Sequence, residues 1–190
     1  MKRQLLLVLV AIASATISAQ VRLQPLFTDN MVLQRQTDAP LWGEARPGYT
    51  ITATTSWDGV SHQTTADAQG HFMLRVKTPQ AGGPYDITII ESHKAGKKGA
   101  AITLRNVMIG EVWLCGGQSN MQMAVASVRD AREEISRADS YPQIRLLRVE
   151  TTAAATPQTV VHAADGGWQV CSAKTIPAFS AAAYFFGRAL

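Results

Sequence analysis

The chain has 190 residues, of which 46% are hydrophobic and 17% are charged. This composition is typical of a globular protein and excludes a fibrous or largely disordered chain. The formal net charge of +4 falls to +2 when Lys2 and Arg3 are removed with the first nineteen residues. One basic cluster, Lys94, Lys97 and Lys98, has no aromatic residues interleaved with it and is typical of a solvated hairpin tip. The sequence therefore does not favour nucleic-acid binding.

The N-terminus has the order of a secretory signal peptide. A basic start is followed by an apolar run from Leu5 to Ile12 and by small residues that end at Ala19. The alternative is a buried N-terminal helix, because the run is too short to anchor the chain across a bilayer. We expect residues 1–19 to be removed and the mature protein to be periplasmic or extracellular, without a membrane span.

The two cysteines, Cys115 and Cys171, each follow a short apolar stretch. Export permits a disulfide between them, whereas burial at strand ends is the usual alternative for single cysteines. No Cys and His spacing resembles a metal site. The sequence therefore predicts no metal and leaves the pairing of the two cysteines open.

Residues 20–106 have the pattern of an all-β domain. Short runs rich in Val, Ile, Thr and aromatic residues, such as Tyr49–Ser56 and His71–Val76, are separated by turn signals, such as Asp58-Gly59. No stretch of this half keeps a helical period. We expect a small antiparallel β-sandwich.

Residues 107–190 predict the beginning of an α/β domain. The run Val107–Leu114 is typical of a strand that is buried on both faces of a parallel sheet. An amphipathic helix is predicted over 121–138, a second strand over Ile144–Val149 and a second helix over Ala178–Leu190. With two strands and a last helix that lacks a stop signal, we expect the α/β domain to be truncated.

Ser119 lies where a strand-to-helix turn is predicted, with Gly116 and Gly117 just before it. A nucleophilic serine is commonly held at such a turn, where the main-chain N–H groups of the helix start face the reacting group. The alternative interpretation is that Ser119 or Asn120 simply caps the helix.

Three segments resemble the sialate O-acetylesterase family, a branch of the SGNH hydrolases. The strongest is Gly-Glu-Val-Trp-Leu-Cys-Gly-Gly-Gln-Ser-Asn-Met-Gln-Met at 110–123. It is supported upstream by Leu-Phe-Thr-Asp-Asn-Met-Val-Leu-Gln-Arg at 26–35 with Leu-Trp-Gly at 41–43. Downstream, Trp-Gln-Val-Cys at 168–171 and residues 179–186 are also similar. The resemblance covers nearly everything after the predicted signal peptide.

The resemblance implies a serine esterase that removes acetyl groups from sugar hydroxyls without a metal or an organic cofactor. It also implies a β-sandwich followed by an SGNH/flavodoxin-like α/β hydrolase domain. Ser119 takes the nucleophile position, and Gln118 and Asn120 are neighbours that shape the site. Ser180 falls in the second sequence block, which often contributes an oxyanion donor, although the glycine usual in that block is absent here.

In this family the catalytic base belongs to an Asp-x-x-His pair near the far end of the domain, and this chain lacks that pair. His62, His71 and His93 lie in the predicted β-half, and His162 precedes Asp165 in the opposite order. We expect all four imidazoles to be exposed or structurally bonded, and the base to lie beyond residue 190.

Two classes of function fit the sequence. An esterase would act on sialic acid or, as an alternative substrate, on acetylated plant polysaccharide. A non-catalytic carbohydrate-binding module would instead hold glycan on Trp42, Trp57 or Tyr49 of the sandwich. The Ser119 turn favours the esterase, because a binding sandwich has no use for it.

Overall fold

A computed structural model describes residues 21–93, 96 and 98–190 of the chain. The predicted signal peptide, residues 1–19, and two lysines of the basic cluster lie outside the described residues. Eight strands form the first half. They are β1 (Arg22–Leu23), β2 (Val32–Gln34), β3 (Asp38–Glu44), β4 (Thr50–Thr55), β5 (Ser61–Thr65), β6 (His71–Lys77), β7 (Gly82–Ser92) and β8 (Ile102–Gly110).

The eight strands form two sheets that share one buried core. The first sheet has the order β1-β3-β6 and the second the order β2-β8-β7-β4-β5. Neighbouring strands are antiparallel except β2 and β8, which run parallel with Gln34 opposite Gly110. This pairing ties the beginning of the sandwich to the last strand before the Ser119 segment.

Alternating side chains build the core between the two sheets. Along β6 the even-numbered residues, Phe72, Leu74 and Val76, are buried while their neighbours are exposed. That period of two is what a strand with one buried face requires. The core side chains that are completely inaccessible to solvent come from both sheets: Leu41, Ile51, Ala53, Val76, Ile87, Ile89 and Val107.

The apolar run Val107–Leu114 does not form the single buried strand that we expected. Its first part belongs to β8, which ends at Gly110 inside the sandwich. Beyond Gly110, residues 111–117 belong to no strand or helix, and Leu114 is 97% exposed. Hydrophobicity alone could not separate these two parts, because Val107–Ile109 in the strand and Val112–Leu114 beyond it are both apolar.

The second half is built from short elements. They are α1 (Ser119–Gln122), a 3₁₀ turn (Val125–Ser127), α2 (Ala131–Arg137), a second 3₁₀ turn (Ala138–Ser140), β9 (Arg145–Leu146), β10 (Gln169–Val170) and α3 (Ala181–Ala189). The last helix lies inside the predicted 178–190. Within the part of the chain that the structure describes, no helix is long and apolar enough to cross a membrane.

The single helix predicted over 121–138 is wrong. It is interrupted at Ala124, whose extended backbone forms a β-bridge with Ser180. It is interrupted again at Asp130, which has a left-handed φ of 63°. Both breaks depend on backbone geometry and long-range pairing that a helical period does not report.

The predicted strand Ile144–Val149 is reduced to two residues. β9 pairs antiparallel with β10, with Leu146 opposite Gln169. No parallel sheet forms among the described residues of this half. The α/β architecture of residues 107–190 therefore remains a prediction.

A second, smaller core holds the short elements together. Val125, Ile176 and Tyr184 are almost completely buried in it. Arg188 of α3 forms an ion pair with Glu134 of α2, which fixes the two helices relative to each other.

Trp168 joins the two halves. Its side chain packs against the sandwich core, and its ring Nε1 donates a hydrogen bond to the main-chain oxygen of Leu26 at 3.0 Å. The preceding Gly167 has a φ of 132°, and a Cβ there would collide with the side chain of Thr28. Only glycine therefore allows this close approach.

Candidate active site

Ser119 is the first residue of α1 and its side chain is exposed. The main-chain oxygen of Gln118 accepts hydrogen bonds from the N–H groups of Met121 and Gln122, at 2.9 and 3.1 Å. A Cβ on Gly117 would lie 3.0 Å from the Cβ of Met121, whereas a Cβ on Gly116 would meet nothing within 4 Å. A side chain at position 117 would therefore crowd Met121 in the turn that presents Ser119, whereas one at position 116 would not.

The predicted neighbours Gln118 and Asn120 flank Ser119 on the exposed side of the turn. Gln118 provides no side-chain cap for α1. Among the described residues, the main-chain N–H groups of Ser119 and Asn120 have no hydrogen-bond acceptor. Two adjacent donors are thus free to bind an oxygen atom placed beside the Ser119 hydroxyl.

Ser180 is brought to the same region from 61 positions further along the chain. Its Oγ lies 3.2 Å from Met121 Sδ. The main chains are also joined, because Ala181 N–H donates to Met123 O at 2.8 Å and Val125 N–H donates to Phe179 O at 3.0 Å. The Ser119 and Ser180 segments therefore meet in the folded chain.

The hydroxyl of Ser180 has a structural role of its own. As the N-cap of α3, its Oγ accepts a hydrogen bond from the N–H of Ala183 at 3.3 Å. This contact satisfies one of the free donors at the helix start.

An open groove of about 330 Å³ lies beside the turn. The aromatic rings of Trp113 and Phe186 meet there edge to face, with centroids 5.1 Å apart. Sequence reasoning did not place these two residues together, although Trp113 lies within the same motif as Ser119. The remaining lining residues are Leu114, Cys115, Gly116, Met121, Ala182 and Ala183. The groove could receive an apolar or ring-shaped part of a ligand.

No histidine serves Ser119 as a base among the described residues. His62 and His71 lie in β5 and β6, His93 follows β7, and none of the four histidines is hydrogen-bonded to the Ser119 hydroxyl. Asp165, three residues after His162, is held by a bidentate ion pair with Arg148 at 2.8 and 3.2 Å. That carboxylate is thus occupied by a guanidinium.

The two cysteines are free thiols. Cys115 is exposed on the rim of the groove, whereas Cys171 is buried in the smaller core. Burial, together with the negative charge of Asp139, raises the pKa of the Cys171 thiol to about 11. The disulfide that the sequence left open is not formed. The alternative, that both thiols are buried, holds for Cys171 but not for Cys115.

One further electrostatic feature lies in the chain that leads to Ser119. The pKa of the Glu111 carboxyl is below its ordinary value, because Gln34 and Arg35 donate hydrogen bonds to it. Among the described residues, no group of three or more His, Cys, Asp or Glu side chains is arranged to hold a metal ion.

One solved structure is similar to this chain over most of its length. A carbohydrate acetylesterase from Xanthomonas citri superposes on 90% of this chain with a TM-score of 0.78 and 30% sequence identity. The superposed part is 37% of that protein's chain. No family model matches the sequence.

Comparison of sequences is more specific. The sialate O-acetylesterases of Pongo abelii and Homo sapiens are each 29% identical to this chain over 98% of its length. The predicted resemblance to the sialate O-acetylesterase family is therefore confirmed. The chain spans about 37% of the length of these relatives.

Proposed function

We propose that this chain is the nucleophile-bearing part of a serine esterase that removes O-acetyl groups from sugars. The observation that carries the proposal is the exposed Ser119 hydroxyl at the start of α1, beside two main-chain N–H groups without acceptors. Its relatives named sialate O-acetylesterase and carbohydrate acetylesterase support the same class of reaction.

In the proposed reaction, Ser119 Oγ attacks the carbonyl carbon of the acetyl ester and a general base takes the hydroxyl proton. The tetrahedral intermediate collapses, the bond to the sugar oxygen breaks, and that oxygen leaves as a protonated hydroxyl. Water then attacks the acetyl group on Ser119 and releases acetate, which regenerates the serine. No cofactor takes part in any step.

The negative oxygen of each tetrahedral intermediate requires hydrogen-bond donors. The N–H groups of Ser119 and Asn120 are suited to this role, since they are adjacent to the hydroxyl and are not used by the fold. Donors that are already oriented stabilise the developing charge without reorganising during the reaction. The segment around Ser180 is proposed as a further boundary of this oxyanion site, because it contacts Met121 in the same turn.

The base is proposed to be the histidine of an Asp-x-x-His pair in sequence beyond Leu190. Two observations support this placement. The Ser119 hydroxyl bonds to no histidine among the described residues, and the relatives are considerably longer than this chain. On this proposal the exposed side chains of Trp113 and Leu114 face the part of the enzyme that carries the base.

The substrate is proposed to be an acetylated sialic acid or, as the alternative, an acetylated plant polysaccharide. Export to the periplasm or the cell exterior is proposed from the N-terminal sequence. Export would bring the enzyme to these substrates, because both glycans occur outside the cytoplasm. A purely carbohydrate-binding sandwich is less favoured, because two of the aromatic rings that would hold glycan pack on other rings of the sandwich. Trp42 packs edge to face on Phe27 with centroids 4.6 Å apart, and Trp57 packs on Tyr85 with centroids 5.6 Å apart.

The test is acetate release from an O-acetylated sugar by the protein that contains this chain. Ser119→Ala should lower turnover by several orders of magnitude, as removal of a nucleophile typically does. Ser127→Ala is the matched control, since Ser127 is also exposed in this half of the chain. If folded Ser119→Ala protein keeps most of the wild-type rate, Ser119 is not the nucleophile.

A further inference from the structure

The segment Leu26–Arg35 is part of the family resemblance, yet it contains no residue of the candidate site. It runs along the edge of the sandwich and includes β2. Met31 and Leu33 are almost fully buried, so the segment is anchored in the core. The polar residues at both ends of the segment form hydrogen bonds with residues outside it.

The first end of the segment holds Trp168. All three polar groups of Trp168 are bonded to it: ring Nε1 to Leu26 O at 3.0 Å, main-chain N–H to Thr28 Oγ1 at 3.0 Å, and main-chain oxygen to Asn30 Nδ2 at 3.4 Å. Trp168 immediately precedes β10, which begins the stretch of chain that leads to Ser180.

The other end of the segment holds Glu111. Arg35 Nε donates to Glu111 Oε1 at 2.5 Å, and Gln34 Nε2 donates to Glu111 Oε2 at 2.8 Å. The N–H of Val112 donates to Gln34 Oε1 at 2.9 Å. Glu111 is the first residue after β8, and the chain reaches Ser119 eight residues later.

The two stretches held at opposite ends of the segment converge at the candidate site. There the Ser119 stretch and the Ser180 stretch are joined by three main-chain hydrogen bonds, the third from Ala126 N–H to Pro177 O at 3.0 Å, and by the contact between Ser180 and Met121. The segment is anchored in the core and hydrogen-bonded to the start of both stretches, so it restricts where they can meet. Small displacements of a catalytic group lower turnover strongly, so this restriction matters for chemistry.

We propose that the Leu26–Arg35 segment sets the relative position of the two stretches that form the active site. Arg35, Glu111 and Trp168 are then positioning residues for the esterase reaction. This inference rests on the proposed function, and it assigns to the sandwich a role in catalysis that does not involve binding glycan.

The test uses Glu111→Gln, Arg35→Gln and the double variant in the intact protein. Glu44→Gln is the matched control, because it disrupts an exposed ion pair with Arg22 in the same sandwich, away from Glu111. At the other end, Thr28→Val removes the acceptor for Trp168, and Thr65→Val in the exposed part of β5 is its control.

The first measurement is hydrogen exchange followed by mass spectrometry. We expect faster exchange in residues 111–123 of Glu111→Gln and in residues 168–183 of Thr28→Val, with unchanged exchange in β3, β4 and β6. Exchange equal to that of the matched controls would overturn the proposal. An increase spread evenly over the whole chain would also overturn it, since that would indicate global destabilisation.

The second measurement separates kcat from KM with an O-acetylated sialic acid as substrate. We expect kcat to fall roughly three- to tenfold in each single variant while KM changes less than about twofold. The double variant should be no slower than the slower single variant, because both substitutions remove the same contact, the one between Arg35 and Glu111. Unchanged kcat in both single variants, or additive losses in the double variant, would contradict the proposal.

The two proposals can fail separately. Hydrogen exchange does not depend on turnover, so unchanged exchange overturns the positioning role even if Ser119→Ala is inactive. If Ser119→Ala remains active, the esterase mechanism is wrong and Arg35 and Glu111 are not positioning residues for it, whatever the exchange data show.

Discussion

Ser180 Oγ lies 3.2 Å from Met121 Sδ and at the same time caps α3 by accepting a hydrogen bond from Ala183 N–H. A residue from the predicted second block therefore touches the turn that presents Ser119. The contact explains how two short sequence motifs, far apart in the chain, become one site. It also raises the question of whether the Ser180 hydroxyl serves stability or chemistry.

Two substitutions at Ser180 separate these roles. Ser180→Ala should lower the free energy of unfolding by about 1 kcal/mol, because α3 loses its N-cap. Ser180→Asn should restore most of that stability, since asparagine is also a favourable N-cap. Thermal melts check both values. A large loss of kcat in a fully stable Ser180→Asn protein would show that the hydroxyl has more than a capping role.

Glu91 is a completely buried carboxylate in β7 that forms an ion pair with Arg46 at 3.0 Å. Arg46→Met should remove the countercharge and lower the free energy of unfolding by about 2–3 kcal/mol, less than for a fully buried pair because the Arg46 side chain is 32% exposed. Denaturant titration measures the change.

Arg22→Met is the control for this substitution. It breaks the exposed pair between Arg22 and Glu44, whose atoms are 3.8 Å apart, and should cost less than about 1 kcal/mol. Equal losses in the two variants would mean that burial of Glu91 has no special energetic consequence.

The two thiols should differ strongly in reactivity. Cys115 is exposed, whereas burial raises the pKa of Cys171 to about 11 and shields its sulfur. Only the thiolate is alkylated, so iodoacetamide at neutral pH should modify Cys115 rapidly and Cys171 only after unfolding. Peptide mass spectrometry measures both rates. Cys115→Ser should leave no rapidly reacting thiol, and equal rates in the wild type would contradict the burial of Cys171.

Several strands could be predicted from the sequence because each buries one face. In β6, Phe72, Leu74 and Val76 alternate with exposed residues, and this pattern is local. The sequence also predicted a helix start close to Ser119, although the strand expected just before it ends at Gly110 and the helix there is only four residues long.

The failures come from contacts between distant residues. Ala124 leaves the helical conformation because it pairs with Ser180, and no periodicity within 121–138 reports a partner so far away. Leu114 has the composition of a buried strand but is exposed. Two hydrogen bonds likewise join segments that only the folded chain brings together. One runs from Trp168 to Leu26, and the other runs from Arg35 to Glu111.

The hydrogen bonds to Glu111 predict a specific response to acid. Because Gln34 and Arg35 lower the pKa of this carboxyl in the folded protein, Glu111 stabilises the fold above its unfolded pKa, and that stabilisation is lost as pH falls through the folded pKa. Glu111→Gln should therefore melt below the wild type at neutral pH, and the difference should shrink below about pH 4.

Melting curves between neutral and acidic pH test this response. Glu150→Gln is the control, since Glu150 is exposed and forms no ion pair among the described residues. A difference between wild type and Glu111→Gln that stays constant with pH would show that the charge of Glu111 is not the stabilising feature.

A serine-reactive phosphonate can show whether Ser119 is the nucleophile. The reagent forms a stable bond to an activated serine, and peptide mass spectrometry identifies the labelled residue. We predict that esterase activity is lost in proportion to labelling of Ser119, while Ser127 and Ser180 remain unmodified. Complete labelling of Ser119 with full activity, or inactivation with the label on another residue, would contradict the account.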